Sequence, residues 1–425
     1  MKEKIISGLS DPVTMEKLYR ENKSEFRTSF LEIFPQIQNS QLAKFWSARL
    51  REEIPRREDG DTLPDPGIAA SARRFDLIYT VAAVFICGTI FKIPQIFGLN
   101  TEYFVINNAA FVLFPALTLF YLIKNRAERK KYVSIFTVVL ASAVFMNVLP
   151  WSGSSDTRIL SSLHFSFITW LILGMSYVNF EISSSRARML FLKRNGDTFI
   201  LTGVLLCAGM VLIMLTVSMF SVIKVRIDSI LENYVVVYGL VAAPLAANYM
   251  IESSPKIINK VAPFISKIFT PLMLVIMTGF LAALIFFAKD PFNNREELIV
   301  FNILLAAIIA VIIFSFSGNS ENHRSIYNKI LLLLSLEALV INSIALSAII
   351  YRLFSFGLSP NKIAVLGANL LLFLNLILIT VKLGRFIRNK VSSESVEKSM
   401  TDLLPYFGVW AAIVAVLMPL FFSFK

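Results

Sequence analysis

Apolar residues recur every three or four positions in three short stretches near the start of the chain. Met15, Leu18 and Tyr19 form the first stripe. Phe26, Phe30, Ile33, Phe34 and Ile37 form the second, and Leu42, Phe45, Trp46 and Leu50 the third. Charged residues fall on the opposite faces, so each stretch predicts an amphipathic helix. Asp11-Pro12 supplies a helix start: a carboxylate can accept an orphan backbone N–H, and proline has the φ of a first turn. Residues 1–54 therefore read as a small helical head. A core built from fewer than about 70 residues is marginal alone, which favours docking on the rest of the chain. Residues 55–72 open with PRREDGDTLPDP, polar and broken by Pro55, Pro64 and Pro66, and read as a linker.

After Arg73-Arg74 the pattern changes from stripes to continuous apolar runs. A helix needs roughly 20 apolar residues to cross a hydrocarbon core of about 30 Å. Such runs lie near 76–92, 104–123, 132–149, 160–179, 198–223, 232–249, 268–287, 298–316, 330–351, 363–384 and 406–423. They are continuous rather than alternating, which selects helices over a barrel. The expected fold is all-α: a polytopic membrane body over 73–425 with about eleven transmembrane helices.

Composition agrees. The chain has 425 residues, is 56% hydrophobic and only 16% charged, with a mean hydropathy of +0.67. Soluble domains carry about 25% charged residues, so a soluble or disordered chain is excluded. The net charge of +12 would raise nucleic acid as a partner in a soluble protein. Here the basic residues gather between apolar runs, and membrane lipids are the expected partner. With the N-terminus inside, the inner loops hold 19 Lys plus Arg and the outer loops 8. That bias predicts a cytoplasmic N-terminus and an outer C-terminus. No apolar run follows Met1, so no signal peptide is expected. Residues 255–268 place Ile257, Ile258, Val261, Phe264, Ile265 and Ile268 on one face, with Lys256, Lys260 and Lys267 elsewhere. This fits a helix lying in the headgroup layer.

Polar residues inside apolar runs carry the candidate chemistry. Glu337 sits in LLLLSLEALVINSIALSAII, about 10 Å past the inner end of its span at 1.5 Å per residue. An ionised carboxylate there costs a few kcal/mol or more, so it must find a partner, border water or stay protonated. The following span offers Asn375 at similar depth and Lys382 below it. The expected pairing is Glu337 with Lys382 through Asn375, with Asn342 adding an amide to the same helices. One reading is a proton, cation or polar-substrate site; the other is a polar clamp between helices. Glu252 is expected at the interface, near the inner end of its span. His164 reads as a structural histidine. Cys87 and Cys207 lie inside apolar runs, which argues against a disulfide, and no metal-ligand or nucleotide-binding spacing occurs. No cofactor and no catalytic residue is expected.

The stretch Tyr351-Arg352-Leu353-Phe354-Ser355-Phe356-Gly357-Leu358-Ser359-Pro360-Asn361-Lys362 resembles a signature Tyr-x-Arg-Ile-x-x-Tyr-Gly-Leu-Thr-Pro-Asn-Arg. That signature belongs to a bacterial family of multi-pass inner-membrane proteins catalogued as domain of unknown function 4153. The match covers the second half of the motif best, with Phe356, Ser359 and Lys362 in place of Tyr, Thr and Arg, and extends over the C-terminal third. The resemblance implies fold and location but no activity. Physically, Gly357 permits a tight turn and Ser359-Pro360 starts the next helix. Arg352, Ser359, Asn361 and Lys362 would hold an anion such as a lipid phosphate at that helix N-terminus; otherwise the two cations snorkel.

Two functions follow. One is a carrier of a small solute or lipid with Glu337 as its binding or coupling group. The alternative is a membrane scaffold or sensor whose head, residues 1–54, binds a cytoplasmic protein. An enzyme is not expected.

Overall fold

A computed structural model describes residues 2–9, 11–21, 23–38, 40–52, 66–149, 155–222, 226–253, 261–286, 295–317 and 325–423. It divides into two compact units, Met1–Phe75 and Asp76–Lys425. No strand occurs among the described residues.

In the first unit the helices are α1 (Lys2–Gly8), α2 (Pro12–Glu21), α3 (Lys23–Ile37) and α4 (Gln41–Glu52). Asp11 caps α2: its carboxylate accepts from the backbone N–H of Val13 at 3.0 Å and of Thr14 at 3.2 Å. The stripes read from the sequence meet in one core. Met15, Leu18, Tyr19, Phe26, Phe30, Ile33, Trp46 and Leu50 are all buried, and Ile5 of α1 joins them. Phe45 differs: it is exposed, because its position on α4 turns it away from the face that carries Trp46.

The head's charges make a test. Glu16 takes Arg20 at 2.9 Å and Arg49 at 2.6 Å. The hydrogen bond from Arg20, then that from Arg49, hold its carboxyl below the ordinary value; Asp11 is lowered chiefly by the hydroxyl of Thr14. A carboxylate whose folded value is depressed stabilises the fold above its unfolded value. That stabilisation is lost as pH falls through the folded value. Acidification below the ordinary carboxylate range should therefore loosen the head, and Glu16→Gln should flatten the dependence. The resonance of fluorotryptophan at position 46 in the full chain reads this out.

The second unit is built from long helices. They are α5 (Pro66–Phe97), α6 (Thr101–Lys124), α7 (Arg129–Val148), α8 (Asp156–Tyr177) and α9 (Ser185–Val222). Next come α10 (Asp228–Ser253), α11 (Val261–Phe286), α12 (Arg295–Ser317), α13 (Ile326–Phe356) and α14 (Pro360–Ile387). The last, α15 (Ser393–Phe421), contains a turn near 402–403. Among the described residues, nine helices are long and apolar enough to cross a bilayer: α5 to α10 and α13 to α15. The fold is that of an α-helical membrane protein. Two further helices, α11 and α12, carry the apolar stretches Ile268–Ala282 and Leu304–Phe316 among the described residues.

Several expected loops are helix. α5 begins at Pro66, inside the segment read as linker; residues 55–65 lie outside the described residues. The basic stretch 183–196 is largely the first part of α9, since a span can run on past the hydrocarbon once its side chains find polar partners. Of the expected headgroup helix at 255–268, residues 255–260 lie outside the described residues, and Val261 onward belongs to the continuous α11.

Two larger apolar cores and several smaller ones fill the body. One joins Cys87, Val112, Phe120, Leu173, Phe191 and Leu245 from α5, α6, α8, α9 and α10. The other joins Met189 of α9 to α11, α12, α13, α14 and α15, with Leu305, Leu334, Leu376 and Val396 at its centre. The N-terminal part of α9 thus serves both. Small residues set the closest approaches. A Cβ on Gly367 of α14 would fall 2.0 Å from the Trp410 ring of α15, and one on Gly88 of α5 would fall 2.3 Å from the Tyr238 ring of α10.

Candidate functional site

Glu337 lies on α13, whose neighbours include α11, α12 and α14. Its carboxyl faces α11. Oε1 is 2.7 Å from Thr278 Oγ1, and Oε2 is buried with no hydrogen-bond partner. Thr278 Oγ1 also lies 2.9 Å from the carbonyl of Leu274 in its own helix. Leu333, Leu336 and Val340 nearby on α13 are exposed, so the acid sits at the edge of the bundle.

The expected pairing with Lys382 through Asn375 does not form. Asn375 Nδ2 donates instead to the Ser399 carbonyl of α15 at 3.1 Å. No ion pair joins Glu337 to Lys382 among the described residues. Asn342 Nδ2 donates to the Asn369 carbonyl of α14 at 3.3 Å. The reason is angular. Residues five apart on a helix point about 140° apart, so Asn342 meets α14 while Glu337 meets α11. The two asparagines stitch helices together, as buried amides in membranes commonly do.

The turn after α13 has the expected geometry. Gly357 has φ +72°, the left-handed region, and ends the helix. Ser359 caps α14, accepting from the Lys362 N–H at 3.4 Å, and Pro360 opens it. Lys362 Nζ donates to the carbonyls of Phe356 and Gly357 at 3.1 and 2.7 Å. Its ammonium is thus directed to the C-terminus of α13, where the helix dipole favours a cation. Asn361 lies in the first turn of α14. Arg352 leaves Nη1 buried with no hydrogen-bond partner.

The densest polar cluster was not expected. It joins Asp76 of α5, Tyr121 and Lys124 of α6, Arg194 of α9, and Asn248 and Glu252 of α10. Lys124 pairs with Glu252 and with Asp76, the latter at 3.3 Å. Arg194 reaches the other oxygen of Glu252 at 2.9 Å, where the two side chains are 10% and 11% exposed. The same guanidinium donates to the carbonyl and Oδ1 of Asn248, both at 3.0 Å. Tyr121 donates to Asn248 Oδ1 at 2.7 Å. Glu252, near the end of its span, is thus held in an ion network. Two carboxylates face two cations, so the cluster is neutral, as a buried ionic site needs to be. The signal was present: two acids and two bases, Asp76, Lys124, Arg194 and Glu252, near the polar ends of four apolar runs.

Further ion pairs tie α9 to α15. Arg188 meets Asp402 at 3.2 Å and Lys193 meets Glu397 at 2.9 Å.

Lys92 and Arg158, two of the eight cations assigned to outer loops by the charge count, are buried in helices. Lys92 of α5 donates to Gln95 and to the Asn233 carbonyl at 2.7 Å, and lies 4.2 Å from the Tyr234 ring centre. Asn233 falls in a π-helical turn, Leu231–Val236. A second π-turn, Ile413–Leu417 in α15, has its Ala415 carbonyl accepting from Ser161 of α8 at 2.8 Å. A π-turn disturbs the regular ladder of helix bonds, and in both cases a side chain from a neighbouring helix donates to one of its carbonyls. Arg158 of α8 is buried and donates to the Leu149 carbonyl at 2.8 Å. His164 Nδ1 donates to the Leu160 carbonyl at 2.7 Å, a bond within its own helix.

No protein-family model, curated protein or solved structure matches the chain.

Proposed function

We propose that the chain is an inner-membrane carrier of a small solute or lipid, with Glu337 as its binding or coupling group. In this reading α11 and α12 supply the seventh and eighth of eleven spans, and the N-terminus is cytoplasmic and the C-terminus outside. The contrast between acids carries the proposal. Asp76 and Glu252 are buried and each faces Lys124. Glu337 has one hydroxyl on one oxygen and nothing on the other. A clamp that served stability alone would satisfy both oxygens, because an unmet buried acceptor costs about 1–3 kcal/mol. Intramembrane acids left in this state mark ion and substrate paths.

Glu337→Gln keeps the shape and removes the charge. Cells bearing the wild-type chain should accumulate or lose one small solute or lipid pool relative to cells without it. Cells bearing the variant, with equal extractable protein, should not. A variant that shifts the same pool as wild type sinks the proposal.

The scaffold reading draws on a separate observation. The head is a compact unit with its own core, and it leaves Val13 and Phe45 exposed.

A further inference from the structure

At Glu337 a single hydroxyl proton has two acceptors within reach, one of which, the Leu274 carbonyl four residues back in α11, is already the helix partner of the Thr278 backbone N–H. A threonine hydroxyl carries a single hydrogen. Thr278 Oγ1 lies within bonding distance of two acceptors, Glu337 Oε1 at 2.7 Å and the Leu274 carbonyl at 2.9 Å. It can donate to only one. With an ionised Glu337, the hydroxyl donates to Oε1. With a protonated Glu337, the carboxyl O–H donates to Thr278 Oγ1, and the hydroxyl turns to the Leu274 carbonyl. Both distances suit both states, and no heavy atom has to move between them.

We infer that Glu337 and Thr278 form a reversible proton-binding site, the proton being the ligand that Glu337 takes up. Uptake forms one O–H bond on Oε1 and reverses the Oε1–Oγ1 hydrogen bond. Release breaks that bond and returns the hydroxyl to the carboxylate. The oxygen count argues against a metal cation. Hard cations take about six or more oxygens, whereas the hydrogen-bonded group offers the carboxyl pair, one hydroxyl and one carbonyl. Among the described residues, Met277 beside Thr278 and Leu334, Ala338 and Ile341 within a turn of Glu337 have no side-chain oxygen to add. The inference deepens the carrier reading and rests on it for what the proton does.

The test uses the full chain in lipid vesicles. An apolar carbodiimide modifies protonated carboxyls, and the labelled peptide is identified by mass spectrometry. Glu337 labelling should be strong at acidic pH, fall as pH rises and be unaffected by sodium or potassium at fixed pH. In the infrared, the carbonyl band of a protonated acid should titrate reversibly, vanish in Glu337→Gln and shift in Thr278→Val. The labelling needs no variant, so a misfolded substitution does not blunt it. No labelling at any pH where the chain stays folded, or protection by sodium at fixed pH, overturns the inference. If Glu337 titrates but Glu337→Gln moves cargo as wild type does, the proton site stands and the carrier reading fails. If the variant stops cargo while Glu337 never takes a proton, the carrier reading stands and this inference fails.

Discussion

Replacing Arg194 with methionine should destabilise the body by about 3–5 kcal/mol, the usual cost of breaking a buried ion pair from one side. Methionine keeps much of the length and apolar stem of arginine, so the effect reports charge and hydrogen bonding more than a cavity. Without Arg194, Lys124 alone faces both Asp76 and Glu252. One uncompensated negative charge then stays in a site where Glu252 is 11% exposed. Asn248 also loses the donor to its carbonyl. The double variant Arg194→Met with Glu252→Gln restores neutrality and should recover most of the loss, since residues in one network are strongly non-additive. Equilibrium unfolding in mixed detergent measures both. A single variant within about 0.5 kcal/mol of wild type, the range usual for unimportant surface sites, would mean that the cluster holds nothing together.

How far the sequence spoke depends on distance along the chain. The head's stripes were legible because helical periodicity is local: Trp46 and Leu50 repeat at four residues and both are buried. Phe45 fell on the wrong side by one residue, about 100° of helix. Glu337 stood out as an acid in an apolar run, but its partner did not. The next span in sequence suggested Lys382, while the packing of α11 on α13 brought Thr278, which looks ordinary in its own run. The ion cluster joins residues 76, 121, 124, 194, 248 and 252. Depth counting alone places each near an inner end and cannot say which ends converge. The π-turns have no composition signature, so Lys92 read as a loop cation until its acceptor, the Asn233 carbonyl, was visible.

Trp46→Ala is the variant that separates the two functional readings. Trp46 is 1% exposed and lies at the centre of an aromatic group. Its ring centre is 5.2 Å from that of Tyr19 and 5.1 Å from that of Phe26, and Arg49 stacks over it at 4.7 Å. Truncating a buried tryptophan costs about 3–5 kcal/mol. A core this small supplies about 3–5 kcal/mol in total, so the loss is enough to unfold the head. Hydrogen exchange in the full chain should lose protection across 12–52 and keep it in α8, α13 and α14, because the body's cores contain no head residue. Continued protection across 12–52 would show that the aromatic group does not hold the head together. With the head unfolded, the carrier reading expects cargo movement to persist, since its chemistry sits at Glu337. The scaffold reading expects the phenotype to vanish with no change in any cargo pool. Glu337→Gln should give the opposite pattern, so the pair of variants assigns the function to the head or to the body.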